Sequence, residues 1–497
     1  MSGPREEYLA RVPPRIAGLI AGREEEVEAA IVAGARERLE RIQDQVNALR
    51  IDERPVGAEE VEIAGAPSAE EIGEEIRGGE GAGTETRGEA RERILEGLFS
   101  GRVVSELFFA GAATRFAKVA SGPLYFLDIW EIAERVLGTN PLEAPKSWGV
   151  TPEEFARIRE LLREREAAAR LPEERRRRIP LGPRILLAYR SALERLAGLH
   201  GESPAAARSR ARFVVHVPDT PDGRRIQADL WSRRFLGFDP ANFLLIPQPF
   251  FGGWEVRGGA VTHVAGSREF PCGHGYSTMQ LVQPGAAFLP AVRKEGLEER
   301  EAWMQVSEDA LSFLGRGGDF LLRVQRVNDL TQISPASLDL ERLAAARRLL
   351  DRGHGAVFEL VANPHHQKGG NWVALQRRGG DEHRFLIEGM NAKVNGWPEF
   401  LERHRGAPYN AFRNIYDGAH LRRILLDHTL PDHLRIRDSG PGRPGLYLES
   451  VTGDLTQIRA ARAAAFQKDK REEIHDLKEL KDLPEGLAFA VAQDRET

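Results

Sequence analysis

The sequence predicts an α/β protein on a largely parallel sheet, and three observations carry that expectation. Short apolar runs alternate with helical stretches through the middle of the chain. The runs, RFVVHV, FLLIP and AVFELV among them, have the length and apolar character of strands. The 497 residues are 41% hydrophobic and 29% charged, a globular composition too long for one core.

Taken in order, residues 15–50 read as helix, because Ile16, Leu19, Ile20, Val27, Ile31, Ala35, Leu39, Ile42, Val46 and Leu49 recur at helical spacing. A packing helix and an oligomerising helix both fit that stripe, so a homo-oligomer through residues 1–51 is one expectation. Residues 52–92 are rich in Glu and Gly, and the expectation there is an acidic, disordered linker. The texture changes at Ile94, where VVSELFFAGAATRF (103–116) is an apolar strand running into a small-residue turn. A charged helix is expected over 150–178, ending in four consecutive Arg that read as a solvated face or an anion patch. Strand candidates follow at RFVVHV (212–217), FLLIP (243–247), DFLLRVQRV (319–327), AVFELV (356–361), NWVAL (371–375) and RFLIEG (384–389). Helices are expected near 225–236, 300–314 and 338–352, and the strand pairs after 356 look like edge hairpins. The tail, 455–482, reads as a charged helix followed by a Pro-Gly break. The implied domains are a core over 93–400, with a helical insertion at about 119–180, and a C-terminal part over 401–497.

Composition excludes several classes. No run of 18 apolar residues exists, so no spanning helix is expected. The first residues lack an apolar secretory segment, and the expected compartment is the cytoplasm. One cysteine, Cys272, rules out an internal disulfide framework. The net charge of −5, without an aromatic-basic patch, argues against nucleic acid.

Four motifs can carry chemistry. AGAATRF (110–116) lets backbone approach a phosphate through Gly111, Ala112, Ala113 and Thr114, with Arg115 adding a guanidinium. A plain turn fits it equally. PCGHGY (271–276) sets His274 between two glycines, as a ligand-contacting loop or a turn. Cys272 beside it invites a thiol-catalysis reading, but sequence neighbours rarely form that pair. NPHHQKGGNW (363–372) offers Lys368 before two glycines, a phosphate contact or a solvated hairpin tip. A zinc site from His354, His365, His366 and His383 would lack recognisable ligand spacing. In RVQRVNDL (323–330) Asp329 ends a strand, where α/β folds place ligands; it fits a Mg²⁺ ligand or a cap.

The order of these motifs resembles the UDP-sugar pyrophosphorylases, the UTP–sugar-1-phosphate uridylyltransferase family, over roughly residues 96–460. RRFLGFDPANFLLIPQP (233–249) looks like that family's approach to a uracil-reading Gln, here Gln248. PCGHGYSTMQL is similar to its Gly-Gly-His-Gly-Asp loop, and ESVTGDLTQI (449–458) to its later Glu-Thr-x-x-Gly segment. YNAFRNIY (409–416) is a looser match to its Asn-rich strand. The resemblance implies a Rossmann-like nucleotidyltransferase fold of the glycosyltransferase-A type, with a mixed sheet and an N-terminal helical extension. It implies attack of a sugar-1-phosphate on the α-phosphate of UTP with Mg²⁺. Residues 111–115 would hold the β and γ phosphates, and Lys368 would neutralise the α-phosphate. Gln248, Gly273 and His274 would meet the nucleoside, Asn414 and Glu388 the sugar, and Asp329 the metal. The sequence departs from the family in four places, the first being Ala112 and Ala113 where its loop has more glycines. An insertion precedes Pro183-Arg184, which stands where a Pro-Lys is expected, with Lys118 a rival. Val327-Asn328-Asp329 moves the carboxylate by one position, and Tyr276 replaces the Asp after Gly-His-Gly. A catalytically silent UTP or UDP-sugar sensor of the same fold is therefore the second reading.

Overall fold

The computed structural model describes residues 4–74, 87–110, 123–138, 151–167, 179–295, 298–326, 329–331, 338, 340–362, 370–376, 382–389, 391, 393–468, 474–476 and 480–496. Four parallel strands form the centre: β2 (Val103–Phe108), β3 (Phe213–Pro218), β4 (Phe243–Gln248) and β9 (Leu321–Arg326). Their spatial order is β4-β3-β2-β9, so the chain winds outward from β2 on one side and then crosses to the other. Every residue of β2 and β3 is buried, which is why they read as mostly apolar runs, with Ser105, Glu106 and His216 the polar interruptions.

Beyond β9 the sheet turns mixed. The strand β14 (Tyr409–Asp417) pairs antiparallel with β9 and with β11 (Ala356–Val361), and β17 (Ala463–Lys468) runs parallel to β11. A hairpin of β12 (Asn371–Gln376) and β13 (Glu382–Ile387) joins beside β14, and β1 (Val61–Ile63) adds to β12. At the opposite edge β7 (Phe288–Glu295) follows β4, and β8 (Glu298–Gln305) pairs with β7.

Helices cover one face over a large core. They are α4 (Arg87–Ser100), α5 (Ile129–Leu137), α6 (Pro152–Ala167), α7 (Leu181–Leu199), α8 (Pro221–Ser232), α10 (Leu340–Asp351) and α11 (Leu483–Glu496). The second face carries Val104, Phe108, Val214, Ile246, Val324, Phe358 and Tyr416 in another core. A separate small sheet has the order β15-β16-β5-β6, from β5 (Trp254–Arg257), β6 (Ala260–His263), β15 (His433–Gly440) and β16 (Arg443–Glu449).

Several expectations are corrected. The N-terminal stripe forms three helices, α1 (Pro4–Leu19), α2 (Glu24–Val32) and α3 (Arg36–Val46), because Gly22 and Gly34 take positive φ and end the preceding turns. The apolar residues of that stripe, Ile16, Ile20, Val27, Leu39 and Ile42 among them, pack onto Trp254, Val256, Leu434 and Leu446 of the small sheet. The face expected to oligomerise is thus spent inside the chain. Residues 52–74 are built into the fold: Val56 and Ala58 are buried against Val373 and Trp397. Residues 300–305 are strand rather than helix, since pairing with β7 overrides the helix propensity of a Glu-rich segment. In the tail, 463–468 is a strand, and the helix begins at Leu483 with Pro484 in its first turn, where a missing N–H costs nothing.

Candidate functional site

The order β4-β3-β2-β9 creates a switch point between β2 and β9, and ligands of open α/β sheets bind at the carboxyl ends there. Gln248 is the last residue of β4 and is buried. Its Nε2 donates to the Gly273 carbonyl at 3.1 Å, which fixes the carboxamide and leaves Oε1 as the acceptor. Gly273 has φ +87° and caps the short helix α9 (His274–Gln280). Only glycine suits it, because a Cβ there would collide with the Ser450 carbonyl oxygen.

His274 opens α9. The Thr452 backbone N–H donates to its Nδ1 at 3.0 Å, and the Thr452 hydroxyl lies 3.0 Å from the same nitrogen. The neutral ring therefore carries its proton on Nε2, as a fixed donor. Burial, with the nearby charge of Arg326, pushes the imidazole down to about 3. His274 is thus expected to stay neutral between about pH 5 and 8. In an NMR titration its ring signals, identified by loss in His274→Asn, should not move over that range; a midpoint near 6.5 would overturn the assignment.

Glu388 follows β13, and its carboxylate lies against Gly370 and Gly453; a Cβ on Gly370 would sit 2.9 Å from Oε1. The Gly370 carbonyl accepts from Asn410 N–H at 2.8 Å. Gly273 and His274 thereby lie against one segment, residues 449–458, at Ser450 and Thr452, with Gln248 bonded to Gly273 and the Glu388 carboxylate close to Gly453. That segment is the ESVTGDLTQI motif, in which nothing in the sequence marks Thr452.

Other candidates are placed differently. Asn414 is 0% exposed, and its Nδ2 donates to the Tyr416 hydroxyl at 2.9 Å. It belongs to the interior and cannot meet a sugar hydroxyl. Arg184 is 5% exposed in the first turn of α7, on the helix-covered face. The helix α7 packs against β10 (Asp329–Thr331), which carries Asp329 and pairs with β18 (Ile474–Asp476). Cys272 is buried and burial pushes its thiol far up, so it supplies no thiolate. Among the described residues no group of His, Cys, Asp and Glu could by itself hold a metal ion. His354 meets the Arg462 carbonyl, and His383 stacks on Phe385. Gly111, Ala112, Ala113, Thr114, Arg115, Lys118, His365, His366 and Lys368 lie outside the described residues.

Two features had no sequence signal. Phe412 takes φ +62°, and its ring meets His274 edge-on at 4.2 Å and Phe108 at 5.4 Å. Beneath them Glu106 and His216 form a fully buried pair at 2.7 Å, with His216 stacked on Phe108.

Four parallel central strands with a mixed flank and helices packed over the sheet define a mixed α/β fold. The chain has the mixed α/β nucleotidyltransferase fold of the UDP-sugar pyrophosphorylases. A variant of UDP-glucose pyrophosphorylase from Leishmania major, solved with UDP-Glc, matches with a TM-score of 0.54 at 12% identity, covering 92% of this chain and 78% of that one. A UDP-glucose phosphorylase from Trypanosoma brucei matches at 0.52 and 12% identity, covering 93% and 78%. A UDP-N-acetylglucosamine pyrophosphorylase from Entamoeba histolytica, named there as putative, matches at 0.51 and 13% identity, covering 84% and 83%. At such identities the likeness is one of fold. No protein-family model and no curated protein matches the sequence. Among the described residues no helix is long and apolar enough to cross a membrane.

Proposed function

We propose that this chain is a nucleotidyltransferase that transfers the uridylyl group of UTP to a sugar-1-phosphate. A phosphate oxygen of the sugar phosphate attacks the α-phosphorus of UTP, the α–β bridging bond breaks, and pyrophosphate leaves with the electron pair. The observation that supports this reading best is that Gln248 bonds Gly273, that His274 is held by Thr452, and that the Glu388 carboxylate approaches Gly453 of the same segment, beside the carboxyl end of β4. Such transfers depend on positioning and charge neutralisation more than on a covalent partner.

In this reading the Gln248 Oε1 accepts from uracil N3–H, which cytosine lacks. Gly273 lets the backbone approach the base, and His274 donates through Nε2. Glu388 receives sugar hydroxyls. Residues 111–115 and Lys368 bind the phosphates. Mg²⁺ would be held by Asp329 together with substrate phosphates, since that ion takes one or two carboxylates, and it would neutralise charge on the leaving pyrophosphate.

The test is pyrophosphate release from UTP and Mg²⁺ with a panel of sugar-1-phosphates. Release with at least one sugar phosphate, falling about 100-fold or more in Lys368→Ala, is expected. No release with any sugar phosphate, although UTP is bound, would replace this reading with that of a silent nucleotide or nucleotide-sugar sensor.

A further inference from the structure

We infer that Glu106 and His216 are positioning residues of the nucleoside site, which set the plane of the ring cluster around His274; this rests on the proposed transfer from UTP. The register of the sheet puts Phe108 of β2, His216 of β3 and Ile246 of β4 in one row. Side chains alternate along a strand. Phe108 and Ile246 belong to the core on the second face, so His216 shares that face, and Gln248 stands on it further along β4. Glu106, opposite Val214, lies on the same face one row below. Ring contacts carry the pair to the site. The His216 ring stacks on Phe108 at 4.3 Å, with 18° between the planes. Phe108 meets Phe412 edge-on at 5.4 Å and His274 edge-on at 6.5 Å, and Phe412 meets His274 at 4.2 Å. Aromatic rings favour such stacked and edge-to-face arrangements, so the plane of the lowest ring sets the planes above it.

The lowest ring cannot turn. Its Nε2 lies 2.7 Å from Glu106 Oε1, and both residues are fully buried. The Phe109 N–H donates to the His216 carbonyl at 2.9 Å, so His216 also fixes the end of β2. Such a pair is a poor source of stability. Two polar side chains are taken from water, and apolar residues of similar volume are often as stable or more so. Glu106 Oε2 and His216 Nδ1 have no hydrogen-bond partner among the described residues, which adds to the cost. What the pair supplies is direction. A leucine in place of His216 would pack by shape alone, whereas a hydrogen-bonded imidazole keeps one plane. That plane is passed through Phe108 and Phe412 to His274, whose Nε2 donor must point at the nucleoside.

Urea denaturation, with calorimetric binding of uridine and of UTP to the full chain, tests this. The double variant Glu106→Leu/His216→Leu should keep a urea midpoint at or above that of wild type. It should nevertheless weaken uridine and UTP alike by about tenfold, the worth of one misaligned hydrogen bond. Glu106→Gln keeps an acceptor for the imidazole and should hold uridine within about twofold of wild type. Wild-type uridine affinity in the double variant, or a loss confined to UTP, would overturn the inference while leaving the transferase reading intact. So would a midpoint that falls together with the affinity, which would make the pair a brace of the core alone. A Glu106→Gln chain as weak as the double variant would also overturn it, because the hydrogen bond would not be what sets the ring. A wild-type chain that binds neither UTP nor uridine would overturn both readings.

Discussion

Gly275→Ala is expected to destabilise the chain by about 2–4 kcal/mol and to abolish measurable UTP affinity, although alanine favours helix. Gly275 is in the first turn of α9, where the propensity gain of alanine is at most about 1 kcal/mol. Against it stands a collision with backbone alone. The new Cβ would lie 2.5 Å from Val451 N and 2.6 Å from the Ser450 and Val451 carbonyl carbons. No side chain can swing aside, so α9 must separate from residues 450–452. That movement breaks the Gly275 N–H to Ser450 carbonyl bond and pulls the Thr452 donors from His274. It also carries the Gly273 carbonyl away from Gln248. Gly198→Ala is the control: nothing lies within 4 Å of its Cβ, and the same substitution should be neutral or stabilising by up to about 1 kcal/mol. Urea denaturation of both, with UTP calorimetry, decides it. Equal midpoints would mean that the close approach of α9 to residues 450–452 is not a constraint.

That contact also explains how much of the site could be read in advance. The central strands β2, β3, β4, β9 and β11 were legible because burial on both faces leaves mostly apolar runs, interrupted only by polar residues such as Glu106, His216, Arg323 and Glu359. Gly273 and His274 stand out in the sequence because the histidine lies between two glycines, whereas Gln248, between two prolines, is reached only through the family resemblance. Long-range pairing was not legible. The strand β8 reads as helix until its partner is known, and β1 lies in a segment whose composition suggests a linker. Asn414 looked accessible because a strand residue has two faces and the sequence does not say which is covered. The Phe412 dihedral has no sequence signature, since Phe ordinarily avoids that region. Tyr276, a departure from the family pattern, has a structural reason. It is buried in the core that seats α1, and the Arg15 guanidinium lies 5.8 Å from its ring centre. The residue after Gly-His-Gly here serves the N-terminal layer.

The same layer supplies the second large effect, at His433. Its Nε2 lies 2.6 Å from Asp454 Oδ2, and both residues are buried. Asp454 also accepts from Gln457 Nε2 at 2.6 Å, and the neighbouring Asp432 is paired with Arg15 of α1. Burial opposes a charged imidazolium, but Asp454, Glu449 and Asp432 outweigh it and raise His433 above its ordinary value. The sign follows from linkage. A histidine whose pKa rises on folding stabilises fully below its unfolded value of about 6.5, and that contribution is lost as pH rises through the folded value. Asp454→Asn leaves the imidazole desolvated without its counter-charge, at a cost of about 3–5 kcal/mol near pH 6. At higher pH a neutral imidazole tolerates the asparagine, so the gap from wild type should narrow steadily above pH 6.5. Denaturation of wild type, Asp454→Asn and His433→Gln at several pH values measures this. A gap that stays flat or widens with pH would mean the pair is not charged in the folded chain. Asp454 is two residues from Thr452, so the pair braces the segment that fixes His274. UTP affinity should therefore fall in Asp454→Asn even where the chain remains folded, and should recover partly as the stability gap closes.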